Sequence, residues 1–320
     1  MTNPVGAHLN GGLAVADAET AMREIATRIG DRVNRIPDGE TGERNNWIFF
    51  QVDRLRSLPG VETVGVFDPT RGYDGLPKLR ITDQSVVAEF FESFNPGYAD
   101  AYLASYGTFT SLRGDGTIPG NVRFQVQYPT PFATAAGWFV PEQVPAVLPA
   151  YTAAMLRDLN RLLAEIPPED IAVQWDVAVE FGALTGSFPG FPDLTSAEAG
   201  RDLGRLLDAV PQDIPAGLHL CYGDYQHVHF KQPESLALQI ELIGHVAANA
   251  RRTVNWFAIT VPQNETRPEF FAPLADLRIK DGTEVYFGIV PYHVAEQPEG
   301  TSAAQIALID AHVASWRPHS

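Results

Sequence analysis

The segment GLHLCYGDYQHVHF, residues 217–230, holds the only cysteine of the chain, Cys221, and three of its eight histidines, His219, His227 and His229. His219 and Cys221 are two positions apart, so in a strand both point to the same side. A thiolate and an imidazole at this spacing can share a zinc ion or act as nucleophile and base. They can also be a packed cysteine beside a hydrogen-bonded histidine. Two ligands do not make a metal site, so the residues alone favour the packed arrangement. Tyr222 and Asp224 follow directly.

Two further stretches carry chemistry. IPDGETGERNNW, residues 36–47, brings Asp38, Glu40, Glu43 and Arg44 within seven positions, interrupted by Gly39 and Gly42. Glycines in a short charged loop permit unusual backbone angles and close approach of a ligand. Such a loop suits a polar clamp, with a carboxylate for an ammonium or hydroxyl group and an arginine for a carboxylate or phenolate. A solvated loop with internal ion pairs is the plain alternative. In QWDVAVEF, residues 174–181, Gln174 and Asp176 share one strand face, and Glu180 lies beyond the strand end. A buried carboxylate needs a partner, here either substrate or a neighbouring strand. His8, Tyr128 and His293 fall at the ends of other strand-like segments. Trp47, Tyr128, Trp175 and Tyr222 offer the apolar wall expected of a small-ligand pocket.

The elements that must position these groups alternate between strand and helix. Strand-like segments at Pro4–Leu9, Arg32–Pro37, Val122–Pro129, Asp170–Val177, Ala216–Tyr222, Val254–Val261 and Glu284–Val290 are separated by helical patterns. Examples are residues 17–29, roughly 142–165, the stretch opened by the capping box TSAE at Thr195–Glu198, one begun by Pro233, and one from about Ser302 to Trp316. Repeated strand–helix units imply parallel strands, and long apolar strands imply a sheet covered on both faces. No Gly-rich dinucleotide fingerprint is present. The expected fold is a TIM-type (β/α)8 barrel, with a doubly wound sheet as second choice. The chain is read as a single barrel domain, 1–320, with a hairpin or loop insertion at about 60–82. The count reaches seven strands, so the barrel is expected to be short of, or irregular at, its last strand.

The chain has 320 residues, a net charge of −16 and a pI near 4.8. An acidic surface repels phosphate backbones and anionic lipids, which argues against nucleic-acid and membrane partners. One cysteine excludes an internal disulfide. No leader-like or membrane-spanning stretch is read, so a cytoplasmic location is expected. An incomplete barrel exposes strand edges, so a homodimer or a covering loop is expected as well.

Together these segments resemble the catalytic barrel of cobalamin-independent methionine synthase and its relatives, within the superfamily that also holds uroporphyrinogen decarboxylase. DGETGERNNW is similar to the HGE-x-x-R loop of that family, QWD to its QIDEP segment and HLCYGD to its HMCYC segment. The resemblance implies a substrate-binding role for Glu40 and Asp176, and zinc ligation for His219 and Cys221. This chain departs from the pattern in two places. Pro262 or Gln263 stands where a zinc-binding glutamate follows the sixth strand, and the second cysteine is absent. His227, His229 or His293 would have to replace the missing ligands.

The resulting expectation is an enzyme acting on a small polar substrate, aromatic or carboxylated, by acid–base or alkyl-transfer chemistry without a complete zinc site. His219, Cys221, Asp176 and Glu40 are the expected catalytic groups. Asp38, Arg44, Trp47, Tyr128, Gln174, Tyr222, Asp224, His293 and His8 are the expected substrate contacts. The alternatives are a zinc-dependent methyl- or alkyltransferase with replacement ligands, His219 and Cys221 among them, and a non-catalytic small-molecule-binding barrel.

Overall fold

The computed structural model describes residues 6–66, 75–188, 190–223, 228–291, 294–313 and 317–318. Among the described residues, ten strands run in chain order: β1 (Arg35–Pro37), β2 (Val61–Val64), β3 (Lys78–Ile81), β4 (Arg123–Pro129), β5 (Ile171–Val177), β6 (Ala216–Leu220), β7 (Trp256–Thr260), β8 (Arg278–Ile279), β9 (Glu284–Gly288) and β10 (Arg317–Pro318). Six of them, in the order β1-β4-β5-β6-β7-β9, form one sheet whose every pairing is parallel. Helices fill the crossovers. β5 is buried along its whole length, as a strand covered on both faces must be. The outward residues Phe124, Val126, Tyr128, Val173 and Trp175 belong to the main hydrophobic core.

The sheet curls into a half-barrel. Its edges, β1 and β9, come within side-chain reach: Arg35 forms an ion pair with Glu284, and Asn34 Nδ2 donates to Glu284 at 2.7 Å. Of the expected eight-stranded barrel, short of or irregular at its last strand, six parallel strands are present in this sheet among the described residues. The segment read as a first strand, Pro4–Leu9, contributes one parallel bridge, Ala7 to Val33, with the Ala7 N–H donating to the Arg32 carbonyl at 2.7 Å. β10 pairs with β8 rather than with this sheet.

Local signals set most helix boundaries. Asp17 caps Ala18–Ile29 by accepting from the Thr20 N–H, and Thr195 with Glu198 forms the reciprocal capping box of Ser196–Asp208. The helix expected from Pro233 begins at Ala237, where the Ser235 hydroxyl accepts the first N–H. Within residues 60–82, β2 and β3 pair antiparallel, and residues 67–74 lie outside the described set. β3 docks beside the C-terminal end of β4: the Val140 N–H donates to Leu79 at 3.0 Å and Lys78 Nζ donates to Gly137 at 2.6 Å. No described helix is long and apolar enough to cross a membrane.

Candidate active site

Parallel register stacks the inward side chains in levels. Gln174, Gly217, Trp256 and Glu284 form one level, and Asp176, His219, Ala258 and Tyr286 form the next toward the C-terminal ends of the strands. Gly217 is required because any Cβ there would run into the Trp256 indole. That indole plugs the half-barrel, with the Arg35 guanidinium 4.0 Å above its ring.

A continuous hydrogen-bonded chain crosses this interior. Arg35 Nε donates to His8 Nδ1 at 3.3 Å, so Nδ1 is the acceptor and His8 carries its proton on Nε2. His8 Nε2 in turn donates to Gln174 Oε1 at 2.8 Å. Burial, followed by the charge of Arg35, pushes the His8 pKa down to about 3, which keeps the ring neutral. Gln174 Oε1 also accepts from Trp256 Nε1 at 3.1 Å, while its Nε2 donates to the Asn10 carbonyl at 2.7 Å and to Asp176 Oδ1 at 2.9 Å. Asp176 Oδ1 meets His219 Nδ1 at 3.3 Å. In the tautomer that donates to Asp176, His219 presents the lone pair of Nε2, as a general base requires.

The loop after β1 brings in a second carboxyl. Gly39 (φ 79°) and Glu40 (φ 50°) are consecutive left-handed residues, and Trp47 (φ 48°) is another. For residues other than glycine this conformation is strained and persists only when the surroundings enforce it. Asp38 does the enforcing. It is fully buried, its Oδ1 accepts the Glu40 N–H at 3.0 Å, and its Oδ2 accepts from Ser105 Oγ at 2.6 Å and pairs with Arg44. Both oxygens of this expected substrate contact are engaged in building the loop. Glu40 as a residue is only partly buried, but its carboxyl is enclosed. Burial, then the charge of Asp176, push its pKa well above the usual range, against the opposing pull of Arg44 and of the Gln127 amide.

Gln174, another expected substrate contact, makes four hydrogen bonds within the protein. Tyr128 and Trp175, expected in the pocket wall, both face outward from the half-barrel: Tyr128 is fully buried against Tyr98 and Trp175, with its hydroxyl donating to Asp158 at 3.0 Å. Tyr222 is likewise buried, against Phe181. Trp47 packs on the core and is partly exposed. Cys221 is partly exposed one level above His219, its N–H donating to Val177 at 3.0 Å. Asp224, His227 and His293 lie outside the described residues.

Among the described residues, no group of three or more His, Cys, Asp or Glu side chains is placed to hold a metal ion. His219 and Cys221 come from one strand, and His219 already faces Asp176. The carboxylate that follows β7, Glu265, is engaged by Arg267 at 3.1 Å. These donors do not fit a four-ligand zinc site.

Arg35, Gln127, Trp256 and Tyr286 were not singled out from the sequence. RFQVQYP in β4 carries Gln125 and Gln127 with the same alternation that marked Gln174 and Asp176, and this was the available signal. Both side chains are fully buried.

No protein-family model and no curated protein matches the chain. Among solved structures it is similar to a Listeria monocytogenes protein assigned as a vitamin-B12-independent methionine synthase, with 14% identity and a TM-score of 0.47, over 94% of this chain and 78% of that one.

Proposed function

We propose that the chain is an acid–base enzyme of the methionine-synthase-like barrel superfamily, acting on a small polar molecule without zinc. The observation that supports this reading is the Asp176–His219 contact beside an enclosed carboxyl, Glu40, whose pKa is raised by burial and by Asp176. Environments that push neighbouring titratable groups apart assign acid and base roles. His219 Nε2 takes a proton from substrate or from water. Glu40, whose carboxyl burial and Asp176 bias toward the protonated form, delivers one to the oxygen on which negative charge develops. The step is of the lyase or hydrolase type. Alkyl transfer through a metal would need replacement ligands from His227, His229 or His293.

A panel of small hydroxy and keto acids and their esters, followed by NMR in D2O, tests this reading through solvent exchange at carbon or product formation. Both Glu40→Gln and His219→Ala should lose at least about a hundredfold in rate. Unchanged turnover in both variants overturns the assignment.

A further inference from the structure

Among the described residues, three buried side-chain polar atoms around Glu40 make no well-aligned hydrogen bond: Arg44 Nη1, Gln127 Nε2 and Gln127 Oε1. Arg44 is 6% exposed and Gln127 is 0% exposed. Native structures leave few such atoms, and each calls for an explanation.

The two residues converge on one place. β1 stops at Pro37, opposite Gln125, so Gln127 has no strand neighbour on that side. The Tyr102 hydroxyl fills the vacant pairing by accepting the Gln127 N–H at 3.1 Å, and the Arg44 guanidinium lies 4.5 Å over the same Tyr102 ring. Asp38 holds Arg44 by Nη2, which leaves Nη1 uncommitted. The charge of Arg44 and a contact from the Gln127 amide both favour the ionised Glu40 carboxyl, the latter outside the geometry that would satisfy the amide.

The cover over this place is thin. A Cβ at Gly11 would stand 2.9 Å from the Gln127 amide, and one at Gly12 would stand 3.4 Å from Glu40 Oε2. Asn10 and Gly12 are exposed, so two glycines separate Gln127 and Glu40 from solvent.

We infer that Arg44 Nη1 and the Gln127 amide form the substrate's anion subsite, and that the group they hold is a carboxylate. A carboxylate offers two acceptor oxygens, one for a guanidinium N–H and one for Nε2–H of Gln127. The carboxyl of Glu40 stands beside them as a third donor while protonated. The inference rests on the acid–base reading for the location of the site, but its test is independent of turnover.

The test follows backbone amide resonances of residues 39–44 and of Gln127 by NMR, with acetate and benzoate as probes and acetamide and benzamide as neutral controls. The carboxylates should bind saturably and at least about tenfold tighter than the amides. Gln127→Met keeps the side-chain volume and removes the amide, and Arg44→Lys keeps the charge but moves it. Each should erase most of the preference, with denaturation midpoints confirming that the variants fold. His219→Ala should retain it. The inference is overturned by equal binding of acids and amides, by an unchanged preference in both subsite variants, or by a crystal structure in which ordered water alone joins Arg44 to Gln127 in the presence of the probes. Retained binding together with full turnover in His219→Ala and Glu40→Gln would discard the acid–base reading and leave the subsite standing.

Discussion

Asp176 and His219 occupy the same register position on adjacent parallel strands, with Nδ1 of the ring 3.3 Å from Oδ1 of the carboxylate. Contacts of this kind are often long in ligand-free sites and tighten with substrate. What Asp176 contributes is the choice of tautomer. Asp176→Asn can present its amide N–H to the ring and reverse that choice. The expected loss in kcat is about 10²–10⁴-fold with KM little changed, measured across pH. A loss expressed only as a rise in KM, with kcat unchanged, would show that Asp176 binds substrate and does not orient the base.

Gln174 supports Asp176 from below, and its side chain joins the N-terminal segment, β5 and β7. Gln174→Met removes four hydrogen bonds at nearly constant volume and leaves His8, Trp256 and the Asn10 carbonyl without their partner. Each abandoned buried group costs roughly 1–3 kcal/mol, partly relieved by relaxation. A total loss of about 2–4 kcal/mol in chemical denaturation is expected. A loss under about 0.5 kcal/mol would mean that the network is dispensable for folding.

The parts of this site that were legible in the sequence carried local periodicity or turn chemistry. Gly39 and Gly42 marked a loop of unusual backbone, and two-residue spacing placed Gln174 with Asp176 and His219 with Cys221. The same spacing should have turned Trp175 away from the interior, since it stands between Gln174 and Asp176. It was misread because aromatic side chains near strand ends suggested a wall. Arg35 and Glu284 meet although they are 249 positions apart. Nothing local in either residue announces the other, because curling of the sheet makes the contact. The shortfall in strands has a related cause. β1 is three residues long and ends at a proline, so the curl there is held by side chains from β1, β9 and the segment around His8 instead of a further ladder.

His8 makes the fold sensitive to acid. Its folded pKa of about 3 lies below the unfolded value of 6.5. Between those values the unfolded chain binds the extra proton, so stability is complete above about pH 6.5 and falls as pH drops toward 3. The loss should reach roughly 2–4 kcal/mol by pH 3.5 after allowance for partial exposure. His8→Gln should flatten this limb of the curve of denaturation midpoint against pH. An unaltered acid limb would place the sensitivity in other groups.

Glu180 gives the opposite slope. It is 3% exposed on the short helix after β5, and its Oε2 has no hydrogen-bond partner among the described residues. Burial raises its pKa to about 7, against the effect of a Thr130 contact. Here the folded state holds the proton more tightly than the unfolded chain. The contribution of the protonated form is fully present below about pH 4.5 and is lost as pH rises through 7. Glu180→Gln, which stays neutral, should therefore gain on the parent protein as pH climbs from 5 to 8. The difference should be on the order of 1–3 kcal/mol at the upper end. It should be seen as a midpoint gap that widens with pH, whereas His8→Gln should differ from the parent only on the acid side. A constant gap would attribute the effect of Glu180→Gln to packing, and a gap that closes above pH 7 would reverse the direction assigned to this carboxyl.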